Sequence, residues 1–73
     1  MQKYRETHIS EEFEGWDGDA IYELDDGTKW KLSSYQYRYV YKYRPKAILW
    51  SDGSRYFLEV ECMGDKAQVF PDN

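Results

Sequence analysis

An all-β fold is what this 73-residue sequence predicts. Three observations point to it. Turn markers recur at short intervals, at Asp17-Gly18, Asp26-Gly27, Asp52-Gly53 and Gly64-Asp65. The segments between them mostly alternate apolar with polar residues, as half-buried strands do, and no longer window repeats apolar positions at helical i, i+3, i+4, i+7 spacing. Three Trp, eight Tyr and three Phe make up 19% of the chain. Each ring buries roughly 150–250 Å² when covered, so a few of them build a core that so short a chain otherwise lacks.

The elements follow in order. Gly15 and Gly18 flank Trp16-Asp17, and the expected role is a bulge or tight turn joining the first two strands, with glycine supplying the unusual φ. They are not a phosphate-binding loop, because the strand–loop–helix context is absent. In Ala20-Ile21-Tyr22-Glu23-Leu24, residues Ala20, Tyr22 and Leu24 share one face, and after the Asp25-Asp26-Gly27 turn Trp30 and Leu32 lie beside them. From Tyr35 to Arg44 every odd position is Tyr, so a strand puts five phenols on one face and Gln36, Arg38, Val40, Lys42 and Arg44 on the other. The pattern leaves open which face is buried; if the tyrosine face points inward, a small barrel holds two or three such rings and the strand ends expose the others. Arg44-Pro45 marks a bend or sheet edge. Lys46 to Trp50 then forms a hairpin across Ser51–Ser54 with the strand in which Tyr56, Leu58 and Val60 alternate with Arg55, Glu59 and Glu61. Ala67 to Phe70 is the closing strand, ended by Pro71.

Five or six short antiparallel strands with hairpin turns remove their edges best by curling. The expected architecture is a small SH3-like barrel, one domain over residues 1–73 with its core at about 9–70. Two motifs, Phe13-Glu14-Gly15-Trp16-Asp17-Gly18-Asp19 and Leu24-Asp25-Asp26-Gly27-Thr28-Lys29-Trp30, precede a third, Tyr41-Lys42-Tyr43-Arg44-Pro45-Lys46. In that order they resemble a family of small bacterial proteins, mostly uncharacterised, across about residues 9–61. The resemblance implies an SH3-like barrel and supplies neither an activity nor site residues.

Several classes are set aside. Cys62 has no disulfide partner and the start Met1-Gln2-Lys3-Tyr4-Arg5 is polar, so a cytoplasmic protein is expected. The longest apolar run, Ala47 to Trp50, is far short of the roughly 20 residues that cross a bilayer. One His and one Cys do not make a zinc set, and no calcium loop can be drawn, so neither metal nor cofactor is expected. The pairs Glu11-Glu12, Asp17 with Asp19, and Asp25-Asp26 read as turn solvation rather than acid–base pairs. Cys62 lies between Glu61 and Met63 without a base nearby in sequence, and His8 is remote from it, so no enzyme is expected.

Net charge is −4, but its distribution is uneven. Residues 33–51 carry four bases and no acid, within a chain otherwise acidic. Tyr37, Arg38, Tyr39, Tyr41, Lys42, Tyr43, Arg44 and Trp50 are therefore the candidate binding residues, because Tyr, Trp and Arg together are enriched at interfaces. The leading expectation is a protein-interaction module that engages an acidic or extended peptide. A second is single-stranded nucleic acid, with rings stacking on bases and cations following phosphates, opposed by the flanking acids. A third is a homodimer built by pairing the tyrosine strand with itself.

Overall fold

The computed structural model describes residues 1–72; Asn73, the last residue of the expected domain, lies outside the described residues. Among the described residues there are eight strands and no helix. They are β1 (Gln2–His8), β2 (Glu12–Asp17), β3 (Ile21–Glu23), β4 (Lys29–Leu32), β5 (Tyr37–Tyr43), β6 (Lys46–Asp52), β7 (Arg55–Val60) and β8 (Lys66–Pro71).

Six of them form one antiparallel sheet in the order β1-β6-β7-β8-β4-β3. Its centre is the β6–β7–β8 meander, which follows directly from local alternation. Ala47 and Leu49 face inward from β6, Leu58 and Val60 from β7, Ala67 and Val69 from β8, and all six are buried. Leu49 stands opposite Leu58, and Leu58 opposite Ala67, so one apolar row crosses three strands. The β3–β4 hairpin adds Tyr22 opposite Trp30, both buried, as the sequence pattern requires.

The sheet curls until its two edges almost meet, forming a barrel-like shell that is not closed by a full ladder. One bridge, Ile9 to Leu24, spans the seam between β1 and β3. The Ser10 N–H donates to the Glu23 carbonyl and the Asp25 N–H to the His8 carbonyl, each at 2.9 Å. Side chains reinforce the seam. Arg44 pairs with Asp25, and Arg5 Nε lies 3.1 Å from Asp26 Oδ2. That oxygen is buried and accepts no hydrogen bond, so charge alone holds it. Its partner oxygen Oδ1 accepts from the Thr28 N–H and hydroxyl, and the Thr28 hydroxyl oxygen accepts from Trp30 Nε1 at 2.8 Å. Asp26 thus ties the β3–β4 hairpin to β1 at the opposite edge of the sheet and Asp25 ties it to the bend before β6, beyond solvating a turn.

Eight strands exceed the five or six expected. The surplus includes β1, whose residues lack apolar alternation and are exposed except for half-buried Thr7. Its order comes from the ladder to β6, which a local pattern does not reveal. The remaining strands, β2 and β5, pair only with each other and form a separate two-stranded ribbon.

Candidate functional site: the tyrosine ribbon

The ribbon is attached to the barrel by side chains. Phe13 and Trp16 of β2 are each only 1% exposed, although residues three apart on a regular strand point to opposite faces. A slip in register resolves this. Phe13 pairs with Lys42 and Gly15 with Tyr39, so Val40 and Tyr41 together face the single Glu14. Gly15 adopts φ 99° at the slip, and a Cβ there would fall 1.9 Å from the Arg38 carbonyl oxygen and 2.7 Å from the Val40 nitrogen. Only glycine satisfies both the backbone angle and the close approach. Phe13, Trp16 and Tyr22 then form a mutual ring cluster with centroids 5.7–5.9 Å apart. The Tyr22 hydroxyl donates to the Gly15 carbonyl at 2.9 Å and accepts from the Asp17 N–H at 2.8 Å. Trp16 Nε1 donates to Asp65 at 3.2 Å, tying β2 to the turn before β8.

With those rings filling the core, none of the five strand tyrosines enters it. Tyr35, Tyr37, Tyr39, Tyr41 and Tyr43 are 52–77% exposed, so of the two faces the sequence left open the tyrosine face is the outward one, and not even two or three of its rings lie inside. Phe13, Trp16, Tyr22 and Trp30 occupy the space instead, and Val40 is the β5 residue that packs against the core. The Tyr35 ring covers Gly18, where a Cβ would meet it at 2.3 Å.

The eight candidate residues divide into groups. Tyr37, Tyr39, Tyr41 and Tyr43 share the outward face of β5. Carboxylates share it with them: Glu12 stands opposite Tyr43 and Asp17 opposite Tyr37. Burial among its neighbours, then Glu12, Tyr39, Glu14 and Tyr43 in varying degree, pushes the Tyr41 phenol above its ordinary range. Arg38 and Lys42 lie on the other face, beside Val40 and near Cys62, and form no ion pair within 4.0 Å among the described residues. Arg44 sits in the bend at φ 51° and is engaged by Asp25. Trp50 stands on β6 in the other sheet, donating from Nε1 to Glu59 at 2.8 Å, with Lys66 Nζ 5.2 Å above its ring. Sequence reasoning missed Glu12, Glu14 and Asp17, because their place beside the tyrosines depends on the pairing of β2 with β5.

The backbone of β5 completes the site. The Arg38 carbonyl and Val40 nitrogen face Gly15, and the Arg44 N–H donates to the Glu11 carbonyl, so even-numbered residues direct their peptide groups toward β2. Strand alternation leaves the N–H and C=O groups of the tyrosines pointing to the free edge. Beside the ribbon a cleft of about 330 Å³ opens, bordered by Gly15, Asp17, Ala20, Ile21, Tyr37 and Tyr39. Elsewhere the chemistry is sparse. Among the described residues no three His, Cys, Asp or Glu side chains gather as metal ligands. Burial first pushes the Cys62 thiol up, and the charged groups acting on it are Lys42, Glu61 and Arg38. No helix among the described residues is long and apolar enough to cross a membrane. Comparison with protein-family models, with curated proteins and with solved structures returns no match, so the arrangement of the ribbon is the ground on which any function for this chain rests.

Proposed function

We propose that this protein is a non-enzymatic interaction module whose β5 strand receives an extended peptide as an added strand. The observation that carries this reading is the free edge of β5, where the same tyrosines offer exposed rings and peptide groups that no other strand pairs among the described residues. Proteins usually shorten, bury or kink such an edge, because it templates pairing with any passing strand. Here it is seven residues long and free of proline, while the register slip at Val40 and Tyr41 and the cations Arg38 and Lys42 guard it against indiscriminate pairing. Strand addition draws affinity from main-chain hydrogen bonds and specificity from alternate side chains, and this edge supplies both.

A peptide is favoured over a nucleic acid by the placement of charge. Stacking of bases on the tyrosines would bring phosphates toward Glu12, Glu14 and Asp17, while Arg38 and Lys42 lie on the opposite face of the strand. The lone Cys62 thiol suits a reducing, cytoplasmic setting.

The test is selection of binders from a random peptide library against the domain. Selected peptides are expected to lose binding to a Tyr39→Ser/Tyr41→Ser variant that keeps its thermal midpoint. Peptides that bind the variant as well as the parent would place recognition elsewhere.

A further inference from the structure

We infer that the strand added to β5 is one whose carboxylates alternate with β-branched or aromatic residues, the carboxylates lying on the side of Arg38 and Lys42. This rests on the strand-addition reading and specifies its partner. On an antiparallel or parallel pair, residues opposite one another share a face, and oppositely charged pairs stabilise while like charges destabilise. An incoming strand therefore meets two different faces of β5. On one it meets Tyr37, Tyr39, Tyr41 and Tyr43, which favour rings and β-branched side chains. On the other it meets Arg38 and Lys42 on either side of the half-buried Val40.

The two cations are available for this role. Arg44, Lys46, Arg5, Lys3, Arg55 and Lys66 each have a carboxylate within 4.0 Å; among the described residues Arg38 and Lys42 have none, nor do Lys29 and Lys31, which stand on β4 in the other sheet and not on the free edge. Glu61 shares the surroundings of Cys62 with them but pairs with neither. The carboxylates on the tyrosine face belong to β2, one strand further from the free edge, so they do not stand opposite the incoming strand.

The same charges disfavour a second copy of this chain. A closed antiparallel pair of β5 strands is related by a two-fold axis through the sheet, which keeps like faces together. Centred on Val40, the register of fullest overlap sets Arg38 against Lys42 of the second copy twice, with no carboxylate between them. An acidic partner strand removes that repulsion.

The experiment uses three synthetic peptides, acetylated and amidated, with the isotopically labelled domain. In the first, glutamate alternates with valine and threonine; in the second, lysine replaces glutamate; in the third, the residues of the first are regrouped into acidic and apolar blocks. The first is expected to protect the Tyr39 and Tyr41 amides from hydrogen exchange and to bind roughly tenfold more tightly than the second at low salt. An Arg38→Glu/Lys42→Glu variant is expected to reverse that preference. Equal protection by the glutamate and lysine peptides would overturn the charge assignment while leaving strand addition standing. Equal binding of the blocked peptide would overturn the alternation. Protection by none of the three would overturn both the partner and strand addition to this edge. Concentration-dependent dimerisation that protects the same amides without peptide would assign the edge to a second copy.

Discussion

At the scale of single residues, Gly15 decides whether the ribbon exists. An alanine there is strained at φ 99° and collides with the backbone of β5. Gly27, at φ 89° but with nothing within 4 Å of a built Cβ, separates the two effects. Gly27→Ala is expected to cost about 1 kcal/mol from the left-handed backbone alone. Gly15→Ala is expected to cost more than about 3 kcal/mol, because overpacking adds to the same strain. Urea midpoints of the two variants measure the difference, and equal costs would show that the close approach to Arg38 carries no energy. Tyr22 makes a second residue-level prediction. Its hydroxyl serves the Gly15 carbonyl and the Asp17 N–H, so Tyr22→Phe leaves both without that partner at a cost of about 1–3 kcal/mol by the same assay. That Gly15 takes an unusual φ was legible in the sequence; that it does so within a pairing of β2 with β5, and that Gly18 does not share it, was not. That Phe13 and Trp16 both point inward was not, since strict alternation assigns them to opposite faces and only the register slip reconciles them.

At the scale of elements, the hairpins were legible and the long-range pairings were not. Tyr22 with Trp30, and Leu49 with Leu58, follow from alternation around Asp-Gly turns. The pairing of β1 with β6 leaves no such trace, because β1 presents charge rather than a buried face. Its electrostatics are nonetheless testable. Glu6 accepts from Lys46, whose Nζ is 2.5 Å away, and from Lys3 at 3.0 Å. Hydrogen bonding to Lys46 first, then to Lys3, holds the Glu6 carboxyl down from the usual 4.5 to about 2. The folded state therefore binds this proton less readily than the unfolded chain. The stability it contributes is present above pH 4.5 and is lost as pH falls through about 2. Glu6→Gln is expected to flatten the acid limb of the stability profile across that window, as read from thermal midpoints at successive pH values. An unchanged acid limb would mean that these exposed charges exchange one solvated setting for another.

At the scale of the whole molecule, a shell of 30 × 25 × 23 Å is organised around the apolar row through Leu49, Leu58 and Ala67. Leu58 is fully buried at its centre, so Leu58→Ala is expected to remove about 2–5 kcal/mol, enough to threaten a domain this small. Retention of the parent's urea midpoint would mean that the row repacks without a cavity. The all-β class and the curling of the sheet were legible from turn spacing and aromatic content. Which face of the tyrosine strand turns outward was not. A fully alternating strand offers two faces, and here the choice falls to Val40 and to the neighbouring strand that supplies the core rings. The order of the strands has a further consequence for the way the chain acquires its shape. The β6–β7–β8 meander joins neighbours in sequence, whereas β1 and β2 wait for β6 and β5, which follow much later in the chain. During synthesis from the N-terminus, the first half therefore emerges with its principal partners still unmade, and the shell can shut around its rings only after Trp50 and the segments beyond it have left the ribosome.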